Sequence, residues 1–196
     1  MKAKTKAEFF KAHIGRACDY DHVAGVQCVD LIKFYTDECF NVPGQSWGNA
    51  RDYWYNTPSA LLKLCTKIKN TKSFVPQRGD ICIFDDASKM YGHICIADNK
   101  GADGTPNDTH YFYSYDQNYN NKKACTLTRH SYSYFLGVLR PKYKCTTVAL
   151  NVRSGAGTSY PVVYTLESNE LVKVVSITNG WAKLDDGNYC SANYLD

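Results

Sequence analysis

The sequence predicts an α+β protein of two domains, and three observations carry that reading. Helix-patterned segments fill the first third of the 196 residues. Short β-rich runs follow from Pro76, and everything after about residue 144 is short strands separated by turn residues. Apolar residues make up 44% and charged residues 21%, which excludes a disordered or collagen-like chain. The longest apolar runs are a few residues, far short of the ~20 that span a bilayer, so no membrane insertion is expected. No apolar stretch of signal-peptide type follows the basic N-terminus MKAKTKAEFFKAHIG, which predicts accumulation in the cytoplasm that makes the chain.

Thr5-Lys6-Ala7-Glu8 has the spacing of a capping box, opening a helix with the stripe Phe9, Ala12, Ile14 and Ala17. A second helix starts near Gln27-Cys28 and runs to Cys39, anchored by Val29, Ile32, Phe34 and Tyr35, and SWGNARDYW (46–54) reads as a third. The runs 81–84, 93–97, 109–115 and 135–139, separated by Gly, Asp and Asn, predict an antiparallel sheet on which these helices pack. The composition shifts at RPKYKCTT (140–147), which places the domains at 1–143 and 144–196. In the second, ALNVRS, PVVYTL, ELVKVVSIT, GWAKLDD and NYCSANYL predict a small all-β barrel whose Tyr160, Tyr164, Trp181, Tyr189 and Tyr194 chiefly fill its interior.

The net charge of +4 is concentrated before residue 144, since the remainder carries four Lys/Arg against five Asp/Glu. No basic run is dense enough for a nucleic-acid arm, and no nucleic-acid partner is expected. Nine cysteines, an odd number with no CxxC pair, argue against a zinc ribbon and for reduced thiols, most of them small buried hydrophobes.

Cys28 stands apart from the other eight. It follows Gln27 and opens the helix CVDLIKFY, where unpaired backbone N–H groups and the helix dipole favour a thiolate. A thiolate nucleophile needs a base, and His93 opens the strand HICIA with Gly92 before it leaving room for close approach. In SYDQN a strand would point Asp116 and Asn118 to one face, where either could hold the imidazole tautomer. The alternative on spacing alone is a core cysteine and a chance Cys-His-Asp order. His13, His22, His110 and His130 lack the flanking pattern and read as surface or structural.

GVQCVDLIKFY, SWGNARDYW, VPQRGDICIF, YGHICIA and YSYDQNYNN resemble, in order, the blocks of the CHAP family of cysteine peptidoglycan hydrolases, phage endolysins of Gram-positive hosts in particular. The resemblance covers roughly residues 7–141 and implies a papain-like fold. It makes Cys28 the nucleophile, His93 the general base, Asp116 the residue orienting it and Asn118 a fourth polar member. Gln27 becomes a candidate oxyanion-hole contributor beside the Cys28 backbone N–H.

Asp19, Asp21, Val23, Gly25 and Asp30 fall at positions 1, 3, 5, 7 and 12 of an EF-hand-like loop. Three carboxylates this close repel one another without a cation. Val23 could offer only its carbonyl, Ala24 stands where Gly is usual, and Asp30 where Glu is usual. A solvated acidic turn is the alternative on spacing. Some staphylococcal-phage CHAP enzymes carry calcium in this segment, so the resemblance implies Ca²⁺ here, pinning the loop that delivers Cys28.

LNVRSGAGTSYPVV, with VKVV, NGWAKL and SANYL, resembles the bacterial SH3-like (SH3b) domain over about 147–196, although GNYCSANYL departs from the usual Gly-Trp-Val ending. The resemblance implies binding to peptidoglycan and associated wall polymers, as a monomer that reaches the wall after release from the infected host. Two other readings compete: an NlpC-type or papain-like cysteine peptidase, and a wall-binding protein with a dead catalytic half. The Asp-Gln-Asn block, where NlpC-type proteins place a second His, and the intact Cys28, His93 and Asp116 weigh against them.

Overall fold

The structure, a computed structural model, describes residues 2–196. Four helices come first: α1 (Lys6–His13), α2 (Cys28–Phe40), α3 (Asp52–Tyr55) and α4 (Ser59–Leu64). Six strands follow, β1 (Cys65–Lys69), β2 (Ile81–Phe84), β3 (His93–Ala97), β4 (Tyr111–Asp116), β5 (Thr126–Ser131) and β6 (Phe135–Pro141). They pair antiparallel in the order β1-β6-β2-β3-β4-β5. Six more, β7 (Tyr143–Cys145), β8 (Leu150–Arg153), β9 (Val162–Leu166), β10 (Leu171–Thr178), β11 (Trp181–Leu184) and β12 (Tyr189–Ser191), make a second antiparallel sheet, followed by a 3₁₀ turn. Helices followed by antiparallel strands give the α+β class that the sequence predicts.

The chain divides into two compact units. One holds residues 10–37 and 42–141; the other gathers residues 2–9 and 38–41 with 142–196. The change of unit at 141/142 lies close to the compositional shift, whereas residues 2–9, expected with the first domain, cluster with the second.

The capping box at the start of α1 forms: the Thr5 N–H donates to Glu8 Oε2 at 2.8 Å and the Glu8 N–H to Thr5 Oγ1 at 3.2 Å. The helix is shorter than its stripe suggests. Gly15 takes φ +78°, which ends it, and Ile14 is exposed in an isolated bridge to Cys125. Helix α2 begins with half a capping box, the Gln27 N–H donating to Asp30 Oδ2 at 2.8 Å. Only Asp52, Tyr53 and Trp54 of SWGNARDYW are helical, and Gly48 turns the chain at φ +85° four residues before the helix begins.

Strands β2 and β3 are buried on both faces. Cys82, Phe84, Cys95, Ala97, Phe112, Phe135 and Val138 form one cluster, while the alternating Ile81, Ile83, Ile94 and Ile96 are fully enclosed on the other side. Phe10 of α1 stacks on Tyr115 of β4 at 3.9 Å between ring centroids, and the Tyr35 hydroxyl of α2 donates to the Gly79 carbonyl at 3.0 Å. These contacts set the helices against the Tyr115 face. At the entrance to β2, buried Asp80 receives a two-pronged bond from Arg140 of β6, with Nε at 2.8 Å and Nη2 at 2.7 Å.

The second sheet has the open strand order β7-β10-β11-β12-β8-β9, so the hydrogen-bonded ladder does not close into the expected barrel. Its core is aliphatic: Leu150, Val152, Leu166, Val172, Ala182 and Leu184 with Cys190. The aromatics expected to fill it do not. Tyr160, Tyr164 and Tyr194 are exposed, and Trp181 and Tyr189 are only half-buried. Strands this short leave little interior, and branched aliphatic side chains fill it without a polar atom to satisfy.

Replacing Arg140 by Met removes the counter-charge and both guanidinium bonds of a buried carboxylate, leaving it the Gln77 N–H. Urea unfolding of this variant is expected to show a loss of about 3–5 kcal/mol, larger than that of Lys67→Met on the exposed face of β1.

Candidate active site

Cys28 is the first residue of α2, at the mouth of a cleft of about 510 Å³ that also takes in Gln27, Asn49, Tyr91, Gly92, His93 and Asn118. The helix start places the sulfur where backbone N–H groups lack intrahelical acceptors. Strand β3 opens with His93 on the same cleft, and its ring is held from behind. His93 Nε2 lies 2.7 Å from Asp116 Oδ1, so Nε2 carries the proton and Nδ1 is left for the sulfur. Burial alone would lower the His93 pKa. The Asp116 hydrogen bond and the Cys28 sulfur more than offset that, and the ring titrates at about 9.

Asp116 is fully buried at the end of β4. Its Oδ1 also meets His130 Nε2 at 2.9 Å, and its Oδ2 accepts from the Ser114 hydroxyl at 2.7 Å. Burial works to raise its pKa, but the bonds from His130 and His93 hold it below the usual carboxylate range. Tyr119 packs against both imidazoles, with ring centroids 4.6 Å from His93 and 4.7 Å from His130. His130 is therefore attached to the site rather than apart from it. It escapes the sequence reading because strand β5 does too: TLTRHS is too polar to look like a buried strand. The period-two row Thr126, Thr128, His130 is the signal that was there.

Three consecutive side chains organise the site. Asp116 holds the imidazoles. Gln117, fully buried, clamps both ends of the loop before α2: its Oε1 accepts from the Cys18 N–H at 2.8 Å, and its Nε2 donates to the carbonyls of Cys18 at 2.7 Å and Gln27 at 2.8 Å. Asn118 donates to Gln27 Oε1 at 3.0 Å. The strand expected through Asn118 ends instead at Asp116, and Asn118 takes the left-handed φ of +53° that asparagine tolerates. Asn118 therefore reaches the segment that carries Cys28 through Gln27 and not the imidazole. The Gln27 amide N–H₂ spends one hydrogen on the Ala24 carbonyl at 2.9 Å and keeps a second for the cleft.

The segment from SWGNARDYW forms another part of the cleft wall. The Arg51 N–H donates to the Tyr91 carbonyl at 3.0 Å, and Asp86 collects the N–H groups of Met90, Tyr91 and Gly92. Gly92 has φ +69°, and a Cβ there would stand 2.4 Å from the Phe84 carbonyl oxygen and 3.1 Å from Arg51. The close approach anticipated before His93 is thus a backbone packed against backbone.

Seven of the nine cysteines are buried. Burial pushes Cys125 up to about 12 and Cys145 and Cys190 to about 11, so these sulfurs stay protonated. His13 is buried beside the Cys18 sulfur at 3.2 Å, while His22 and His110 are exposed.

The acidic loop converges in part. Carboxylate oxygens of Asp19, Asp21 and Asp30 come within 4.8 Å of one another. Val23 gives its N–H to Asp21 Oδ1, and Ala24 and Gly25 turn the chain at φ +60° and +67°. Ala24 thereby adopts the left-handed conformation for which glycine is usual. The Lys33 ammonium, however, lies 2.6 Å from Asp21 Oδ2 and 3.3 Å from Asp30 Oδ1. The remaining oxygens of those two residues accept the N–H groups of Val23 and Gln27. A calcium ion at its usual ~2.4 Å from the same oxygens would meet the ammonium head-on. The arrangement does not fit a bound calcium ion.

A cysteine at a helix start facing a carboxylate-held histidine on an antiparallel sheet defines a papain-like thiol site. The CHAP domain family matches residues 15–118, and the chain belongs to it. Residues 148–196 match the bacterial SH3 domain. The chain is 29% identical over 150 residues to Endolysin PlyTW of Staphylococcus phage Twort, covering 73% of this chain and 31% of that protein. It is also similar to the crystal structure of wild-type endolysin LysIME-EF1, with TM-score 0.53 and 26% identity over 70% of this chain and 64% of the other. The chain therefore spans about a third of the curated relative's length.

The pKa of His93 stands above the unfolded value of about 6.5. Its interactions therefore add their full stability below that pH and lose it as pH rises through about 9. Asp116 behaves oppositely, losing its contribution only in acid. The stability gap between wild type and His93→Gln, from urea unfolding at a series of pH values, is expected to be widest near pH 6 and to close toward pH 9–10. Gly92→Ala is expected to cost about 1–3 kcal/mol in the same assay.

Proposed function

We propose that this chain hydrolyses an amide bond of bacterial peptidoglycan, as a stem-peptide or cross-bridge endopeptidase or an N-acetylmuramoyl-L-alanine amidase. Its C-terminal unit would hold it on the wall. The observation that carries this reading is the meeting of Cys28 and the Asp116-held His93 at an open cleft. The CHAP and SH3 matches and the endolysin likenesses support the substrate class.

In this mechanism His93, protonated below about pH 9, stands beside the Cys28 thiolate, which attacks the amide carbonyl carbon. The developing oxyanion faces the Cys28 backbone N–H and the unspent N–H of Gln27, whose amide Asn118 holds in one orientation. As the C–N bond breaks, the imidazolium protonates the leaving amine. Water, deprotonated by His93 once the amine has left, then cleaves the thioester and restores the thiolate beside the imidazolium. Asp116 stays ionised throughout, and its bond to Nε2 keeps the His93 ring from turning. Tethering by the SH3-matching unit raises the local substrate concentration without entering the chemistry. The protein is proposed to act as a monomer on the wall after release from an infected cell.

Cys28→Ala is expected to abolish clearing zones in zymograms of wall preparations while leaving thermal unfolding within a few degrees of wild type. Equal clearing by both proteins would remove Cys28 from the mechanism. Wild-type lysis rates should decline as pH rises through about 9, where His93 loses the proton it gives the leaving amine. Mass spectrometry of the new termini in digested wall distinguishes endopeptidase from amidase.

A further inference from the structure

The loop that carries Cys28 into the cleft is acidic at its turn, yet its charge is answered from within the chain. Lys33 lies one and a half turns into α2 with its side chain almost wholly enclosed. The stem is packed against the Gly44 backbone, where even a methyl group would overlap Lys33 Cβ at 2.4 Å. The side chain carries its ammonium to Asp21 and Asp30. One helical turn further, Asp37 accepts from the Tyr20 hydroxyl at 2.8 Å, and the same hydroxyl accepts the Gly44 N–H at 3.0 Å. Lys33 and Asp37, spaced i and i+4, share a face of α2. Together they fasten residues 20 and 21 to the helix that Cys28 opens.

We propose that Lys33 is a tethered cation, a positioning residue that does for this loop what a bound divalent metal does for acidic loops of this spacing. The nucleophile segment is thereby ordered without calcium. The ammonium is covalently attached, so its local concentration does not depend on the medium. It uses the same carboxylate oxygens that a metal requires, so the two cations exclude each other. Taking the ammonium away while keeping the apolar stem leaves three converging carboxylates with no counter-charge, which is a vacancy a hard divalent cation fits.

The test is calorimetric titration with CaCl₂ together with thermal unfolding in chelator and in millimolar calcium, on wild type, Lys33→Met and Lys33→Arg. Wild type is expected to show no binding heat and the same Tm in both media. Lys33→Met is expected to unfold about 5–10 °C lower in chelator, and to recover part of that loss with measurable calcium binding. Lys33→Arg keeps the charge and should remain indifferent to calcium. Stoichiometric calcium binding by wild type with a matching rise in Tm overturns the proposal. So does a Lys33→Met protein that folds and ignores calcium, or a Lys33→Arg protein that behaves like the methionine variant. Should Lys33→Met not be recovered folded, the wild-type titration decides alone. None of these readouts depends on the bond the enzyme cuts.

Discussion

Asp116 is a charged group with almost no access to water, and such a group survives in a folded interior only when donors surround it. Moving an unpaired carboxylate out of water costs several kcal/mol even after relaxation. Here two imidazole N–H groups and the Ser114 hydroxyl meet its two oxygens. The same bonds that make its burial tolerable determine the tautomer of His93, and so decide which nitrogen faces Cys28. His130 matters to this balance even though it lies behind the His93 ring. It shares the carboxylate oxygen with His93, and Tyr119 closes over both rings.

From that carboxylate the organisation extends along three consecutive residues at the end of β4. Because the strand stops at Asp116, the next two side chains leave the period-two alternation and turn to other segments. Gln117 ties both ends of the acidic loop, and Asn118 sets the orientation of the Gln27 amide. Cys28 and His93 belong to segments 65 residues apart in sequence, and this short stretch registers one against the other. The loop's own contribution is electrostatic: Lys33 and Asp37 anchor it to the helix whose first residue is Cys28.

Much of this was legible beforehand where the pattern was local. The capping box at Thr5, the start of α2 at Cys28, and the buried strands β2 and β3 all follow from residue types at short spacing. Strand β5 and helix α4 were not legible, since their residues are polar or mixed and their stability comes from partners elsewhere. His130 was missed for the same reason, as was Gln117, whose three bonds reach residues 90 and more positions away. In the second unit, aromatic side chains were assigned to an interior that the short strands leave too small for them.

By itself, the sequence determined the order of helices and strands, the two-part organisation, and the single cysteine poised at a helix start before a Gly-His strand. These are properties of neighbouring residues, set by backbone preference and hydrophobic period. Only the tertiary structure decided that Asp116 would serve two histidines, and that a lysine would stand between the loop's acids. It also left the second sheet with an open strand order. Such outcomes depend on which distant groups compete for the same few oxygens and the same limited interior volume, and no spacing along the chain records that competition.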